Sequence, residues 1–548
     1  SRAAPASGAP PRRSRQAHGE PMGEDSVVGG EEDPWIFLDP YDAHLDARVE
    51  RDGLTMGCLC EDGFQYLWKG CRGSYGIKKG IFMYELKVID HPAVRMPETK
   101  PQNQNICRLG FSLPLTSLFL GDTADGWGYG GTGKKSHNNN FSDYGGPFRV
   151  GDVIGAIVDC DQGTISFMKN GQFMGVAFDN VPPTVMQTGI FPHILMKNVR
   201  VKLNFRRATK WYDPPGPQVK FFEEATDDDV VVNPVDHPES LKDCEFIMLA
   251  GLPACGKTYW AQKHMEANPL KNYVLLGTNA VIDQMKVMGV GRQRNYADRW
   301  QELISQATPI FNKLVEIAGK TPRHIILDQT NVYKNARQRK AQAFKDFGKR
   351  TCVTLVNDEE QLAQRTDKRE REEGKYVPVQ AVNQMRANFV CPELEDGFTE
   401  LEWPELPETE ARKRITEIRE GGTDWRARNP GQKGQQPKSR LENRDVTAIG
   451  KGAQKGAREE IKPGQSPSVF GRAMGGPAPA PDDRSRTPPP AASSASGSNG
   501  AAGASGAAGG ATRTWGWGRG RGGGGGAAGG AAGGAAGAGA PKAPEAGH

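Results

Sequence analysis

The eight residues Gly251-Leu-Pro-Ala-Cys-Gly256-Lys257-Thr258 fit the pattern G-x-x-x-x-G-K-[ST] at every defined position. Glycines at that spacing let the backbone wrap so that its N–H groups point at phosphate oxygens. Lys257 is then placed to reach the outer phosphates, and Thr258 to ligate Mg²⁺ at a helix N-terminus. The chemistry this predicts is binding of ATP, or another nucleoside triphosphate, with its metal. A glycine-rich turn with an incidental lysine is the competing reading. The strand expected before the segment and the helix expected after it argue against that.

Ile325-Ile-Leu-Asp328 follows 71 residues after Lys257, an apolar strand ending in a carboxylate and running into Gln329-Thr330-Asn331. Open parallel sheets bind ligands at strand C-termini, so Asp328 is placed to hold the water shell of the metal. Capping of the next helix is the alternative. Arg365-Thr-Asp-Lys368-Arg369-Glu-Arg371 offers Arg365 as a lid over the phosphates, or else a solvated charged helix face.

The elements around these residues are legible from their texture. Glu245-Phe-Ile-Met-Leu-Ala250 reads as a short buried strand. Helix-like and strand-like segments then alternate over Thr258–Ala267, Tyr273–Leu276, Asp298–Ala318, His324–Leu327, Ala336–Phe347 and Cys352–Val356. Such alternation predicts βαβ units and a parallel sheet, an α/β P-loop domain over 243–408. Residues 33–210 look different. Gly80–Val88 alternates, Val153–Asp159 reads as a buried strand, and Gly163–Met168 runs into Lys169-Asn170-Gly171. Asn-Gly between strands is the strongest short-range hairpin signal, and few segments here have a helical period. An antiparallel β-sandwich is expected, with the Pro-rich, acidic stretch 211–242 as a linker. Phe64, Tyr66 and Trp68 are read as core, and His193 as a structural histidine rather than a ligand.

Composition bounds the remainder. The chain has 548 residues and carries 70 Lys+Arg against 65 Asp+Glu, so its net charge is +5. That balance is uneven: residues 411–548 hold 21 basic and 10 acidic side chains, leaving the first 410 at −6. A mildly acidic body with a basic tail suits a protein whose tail meets a polyanion. With 69 Gly, 39 Pro and only 37% apolar residues, packing throughout is excluded. Residues 1–32 and 409–548 are expected to be disordered, the latter as a basic helix-then-coil stretch followed by a Gly/Ala tail. Within that tail Arg513-Thr-Trp515-Gly-Trp517-Gly-Arg519-Gly-Arg521 interleaves arginines for phosphates with flat indoles for bases. The expected ligand is single-stranded RNA, bound with little sequence preference and weakened by salt. Arg412–Lys462 adds a weaker basic footprint that would equally suit an acidic protein.

Nine scattered cysteines without a C-x-x-C pair fit neither a disulfide framework nor a zinc site, and suggest a reducing cytosol or nucleus. No uncharged apolar run of about 18 residues is present, so no transmembrane helix is expected. The N-terminus lacks the apolar core of a signal peptide. It also lacks an initiator Met, which leaves room for upstream domains.

Gly251–Thr258, Leu327-Asp-Gln-Thr-Asn331 and the Arg-rich stretch resemble the P-loop kinase domain of polynucleotide kinases. In that family a carboxylate just after the second strand is the general base on a 5′-hydroxyl. Here Gly277-Thr278-Asn279-Ala280 follows Tyr273-Val-Leu-Leu276, and the register puts Asn279 at that position. An amide takes no proton, which removes a contribution of about 10²–10⁴-fold. Asp283, four residues on, is the substitute if the local backbone differs. Trp127-Gly-Tyr-Gly130, Gly151-Asp-Val-Ile-Gly155, Ser166-Phe-Met-Lys-Asn-Gly171 and Phe191-Pro-His193 together resemble a SPRY domain, a protein-binding module. The order of SPRY sandwich, kinase-like P-loop domain and Arg/Gly tail is similar to the heterogeneous nuclear ribonucleoprotein U family. Tyr129-Gly-Gly-Thr-Gly-Lys-Lys135, Ile326–Val332 and Ala387-Asn-Phe389 add to that resemblance. It implies a nuclear RNA-binding scaffold in pre-mRNA processing, transcription or chromatin organisation, with SPRY-bound protein partners and self-association. The SAP helix pair and acidic region with which members usually begin are not visible. Two other readings stay open: an active polynucleotide 5′-kinase or slow ATPase using Asp283, and a SPRY adaptor with a vestigial P-loop.

Overall fold

Alternating apolar side chains between Leu38 and Asn204 close two antiparallel sheets over one core. The structure, a computed structural model, describes residues 35–97, 99–285, 300–373 and 377–429. One sheet runs Leu38–Ala43, Lys69–Gly73, Phe191–Lys197, Ile106–Ser112, Gly126–Gly130, Lys134–His137, Asn140–Asp143. The other runs Gln172–Phe178, Thr164–Lys169, Val153–Asp159, Ile81–Asp90, Arg200–Asn204, Thr55–Cys58, Ala47–Val49. Tyr84, Phe111, Phe167 and Ile194 fill the space between them. The expected hairpin forms at Asn170 and Gly171, whose φ angles of 50° and 82° are those of a primed turn. His193 is buried, with Nδ1 2.8 Å from Ser112 Oγ, in a structural place.

The stretch 211–242, expected to be a linker, is folded onto this sandwich. Lys220–Phe221 pairs in parallel with Ile81–Asp90, and Val230–Val232 pairs with Tyr75–Ile77. Phe221 and Phe222 are the reason: both are fully buried, and they anchor an otherwise acidic segment.

The second domain is a parallel sheet ordered Val274–Leu276, Ile325–Asp328, Glu245–Ala250, Lys349–Thr354, Glu400–Glu402. Glu245–Ala250 and Ile325–Asp328 at its centre are near-continuous apolar runs because helices cover both faces. Trp300–Ala318 is one cover, burying Ala307, Ile310, Phe311, Leu314, Val315 and Ala318 at helical spacing. The fold also continues past the expected boundary at 408. Glu408–Arg428 is a helix that buries Ala411, Ile415 and Ile418 in the domain core. Arg412 and Arg414 on it pair with Glu393 and Glu359, so this part of the basic footprint is engaged within the domain.

The two domains share a core. Leu45, Phe64 and Leu67 of the sandwich side pack with Phe246, Leu276, Val281 and Ile310 of the phosphate domain. Polar contacts ring that core. Gln284 Nε2 donates to Asp46 Oδ1 (2.8 Å) and Trp68 O (2.9 Å), and Trp68 N donates back to Gln284 O. Arg323, buried, donates to the carbonyls of Pro40 (2.9 Å) and Ala43 (3.1 Å). Phe64 and Trp68 are therefore core, as expected, but Phe64 belongs to the junction. One cooperative thermal transition is expected for both domains. Arg323→Ala should move that transition to lower temperature, since stranding buried carbonyls costs about 1–3 kcal/mol of stability. Two separated transitions in scanning calorimetry of the unaltered chain would contradict a shared core.

Candidate nucleotide-binding site

The phosphate loop leaves the C-terminal end of Glu245–Ala250, where the strand order places the crevice of an open α/β sheet. Two glycines are required by geometry. Gly251 has φ 148°, and a Cβ there would lie 2.6 Å from both Cys255 Sγ and Leu355 O. Gly256 has φ 103° and caps the helix Lys257–Ala267 with no side-chain hydrogen bond. The first N–H groups of that helix are thus left to an incoming anion. Ala254 at the loop apex has φ 65°, a left-handed conformation costing roughly 1–2 kcal/mol for a residue with a Cβ.

Lys257 lies folded over the loop. Its Nζ donates to Leu252 O at 2.7 Å and Gly251 O at 3.1 Å, and the residue is 8% exposed. Thr258 Oγ1 donates to Asp328 Oδ2 at 2.6 Å across the sheet end. That contact brings together the two residues read from sequence as metal-associated. Both offer hard oxygens, the donor type Mg²⁺ takes, and the ion characteristically keeps several waters and phosphate oxygens as its other ligands. Among the described residues no group of three or more His, Cys, Asp or Glu could hold a metal by itself. The oxygens of Thr258 and Asp328 fit Mg²⁺ as part of its ligand set.

The run after Asp328 is a latch on the loop. Thr330 O accepts from Gly251 N (2.9 Å), and Asn331 Nδ2 donates to Leu249 O (2.7 Å). Lys340 Nζ ties Gln329 Oε1 (2.6 Å) to Asn331 Oδ1 (2.8 Å). On the other side Arg365 Nη1 donates to Cys255 O at 2.9 Å, and Glu405 Oε1 lies 3.3 Å away. In the amide orientation that satisfies both its ends, Asn357 donates to Cys255 O and accepts from Arg365 Nη1 at 2.8 Å. Arg365 is the lid arginine that touches the loop backbone, while Lys368 and Arg371 are exposed. Sequence reasoning named Asn331 within the run after Asp328 without giving it a contact, and it missed Lys340 and Asn357, which carry no local signal.

The position after the second strand is equally defined. Gly277 passes so close to the Ile325–Asp328 strand that a Cβ on it would lie 2.6 Å from Asp328 O. Asn279 is the second residue of the helix Thr278–Gln284 that begins there, and its Oδ1 is buried without a hydrogen-bond partner. Asp283 is one turn further along, about 6 Å away by helix geometry. The same helix ends on Gln284, bonded into the sandwich as above. Arg513, Trp515, Trp517, Arg519 and Arg521 lie outside the described residues.

Residues 246–392 match the family model described as an AAA domain, and residues 94–208 match the SPRY domain model. The heterogeneous nuclear ribonucleoprotein U-like protein 2 of Homo sapiens is 33% identical over 402 residues, covering 73% of this chain and 53% of that protein. The Mus musculus protein of the same name is 32% identical over 387 residues, covering 70% and 51%. The chain thus spans about half the length of the curated relatives it matches. A solved SPRY domain of human HERC1 aligns at 22% identity and TM-score 0.25, covering 30% of this chain and 96% of that one. No helix among the described residues is long and apolar enough to cross a membrane.

Proposed function

The chain is homologous to the heterogeneous nuclear ribonucleoprotein U-like proteins across its sandwich and phosphate-loop domains, and on that premise we propose that it is a nuclear RNA-binding scaffold whose P-loop binds ATP–Mg²⁺ without acting as a 5′-kinase. The observation that carries the nucleotide part is one arrangement: Lys257 and the Thr258–Asp328 pair stand complete beside a helix whose second residue is Asn279. Mg²⁺, when bound with the nucleotide, neutralises charge on the phosphates. Lys257 would leave the loop carbonyls for the phosphates, and Arg365 would cover them from the lid side. Asn279 offers an amide where a phosphoryl acceptor would need a base, so binding stops short of transfer. The bound state is then available as a switch on RNA affinity or self-association, and the SPRY sandwich supplies the protein-binding surface.

Thr258→Ala is expected to weaken ATP binding in Mg²⁺ by roughly tenfold, the size of one charge-assisted hydrogen bond, and to leave binding in EDTA unchanged. Equal affinities in Mg²⁺ would place the metal elsewhere. RNA binding is tested on the full chain with a single-stranded oligonucleotide over a salt series. Replacing Arg513, Arg519 and Arg521 together by alanine should make the slope of log K against log salt shallower by about 2. An unchanged slope and affinity would remove the tail from the RNA contact.

A further inference from the structure

Cys58 and Cys60 flank Leu59 where the strand Thr55–Cys58 leaves the sandwich sheet. Residues two apart on an extended chain share a side, and here the two Sγ atoms lie 3.7 Å apart. Cys58 and Cys60 are half-buried residues, whereas Cys71, Cys107, Cys244, Cys255 and Cys352 are buried. Cys60 Sγ lies 3.2 Å from Cys58 O, and Cys58 Sγ lies 3.7 Å from Val199 O. The hydrogen bond from Cys60, with the buried Lys69 ammonium adding to it, holds the Cys58 thiol below the usual range, and the Cys60 thiol is raised in turn. The spacing is that of a nucleophilic thiol with a resolving thiol beside it.

We propose that Cys58 and Cys60 are a peroxide-sensing dithiol that closes to an intramolecular disulfide. The Cys58 thiolate attacks one oxygen of a hydroperoxide; the S–O bond forms, the O–O bond breaks, and the departing oxygen takes a proton to leave as water or an alcohol. The Cys60 sulfur then attacks Cys58, the S–S bond forms, and the sulfenic oxygen departs as water with the proton of Cys60. Two thiols lose two electrons, and the hydroperoxide gains them. The sulfurs need to approach from 3.7 Å to about 2.05 Å, which draws on the backbone of residues 58–60. That segment is not idle. Leu59 packs against the core shared by the two domains, and its N–H donates to Asp46 O at 3.3 Å. Asp46 also accepts from Gln284, at the end of the helix Thr278–Gln284. Oxidation therefore acts on the junction beside the nucleotide site.

The test uses the reduced full chain, treated with limiting hydrogen peroxide near neutral pH, alkylated and digested without reductant. Mass spectrometry should find the peptide containing Cys58 and Cys60 lighter by two hydrogens. It should form on the order of tenfold or more faster than any oxidation of Cys391, a partly exposed thiol that burial pushes up to about 11. In Cys60→Ser the reaction should halt at a sulfenic acid on Cys58, trapped by dimedone. Oxidation of Cys58 no faster than of Cys391, or disulfides joining it to any cysteine other than Cys60, would overturn the proposal.

Discussion

Replacing Arg337 by alanine should lower the melting temperature by an amount on the order of 10 °C. Arg337 is fully buried, and its guanidinium grips Asp396 Oδ2 through Nε (3.0 Å) and Nη2 (2.7 Å). Its remaining N–H groups reach the carbonyls of Asn331, Val332, Val390 and Cys391 at 2.9–3.2 Å. One side chain thus fastens the turn after Asp328 to the segment that follows the lid. Truncation leaves a buried carboxylate without its partner, a loss of about 3–5 kcal/mol. For domains of this size each kcal/mol moves the melting temperature by roughly 2–4 °C. Arg337→Lys keeps the charge but not the planar fork, so it should recover only part of the loss. A melting temperature for Arg337→Ala within about 2 °C of the parent chain would show that the fork is dispensable; the buried-pair magnitude excludes that.

Lys257→Ala should act on binding rather than on folding. With no nucleotide, Lys257 gives up its bonds to the carbonyls of Gly251 and Leu252 and its weak contact to Cys255 Sγ at 3.4 Å, a stability change of about 1 kcal/mol. With a triphosphate present, the same side chain supplies a charge-assisted contact to phosphate, about 1.5–3 kcal/mol. ATP affinity should therefore fall by roughly ten- to a hundredfold, while the melting temperature without ATP stays within a few degrees. Loss of the ATP-induced rise in melting temperature would report the same effect by linkage.

The phosphate loop was legible because its chemistry is local. Eight consecutive residues, a strand before them and a helix after them determine the backbone path, and the structure keeps that order from Glu245 to Ala267. The alternation of strands and helices was legible for the same reason, as was the Asn170-Gly171 turn. The junction was not. Gln284 and Arg323 look like surface residues in sequence, and their meaning comes from carbonyls more than 200 residues away at Trp68, Pro40 and Ala43. The acidic composition of 211–242 hid Phe221 and Phe222, whose burial decides where that segment goes. Likewise the charges of Glu408–Arg428 hid Ala411, Ile415 and Ile418, four and three residues apart on one helix face. In the site, Asn279 could be placed from sequence by counting past a strand. That Gly277 lies tight against Asp328, and that the Asn279 carboxamide oxygen is buried without a partner, needed the fold.

The separation of nucleotide binding from phosphoryl transfer is tested most directly by one paired measurement on the full chain and on Lys257→Ala. Calorimetric titration with ATP and Mg²⁺ is run beside transfer of labelled phosphate to an oligonucleotide bearing a 5′-hydroxyl. Binding that depends on Lys257, with transfer by the unaltered chain no greater than by Lys257→Ala, is the expected pair of results. Transfer above that background would contradict it, and its loss in Asp283→Asn would make Asp283 the base.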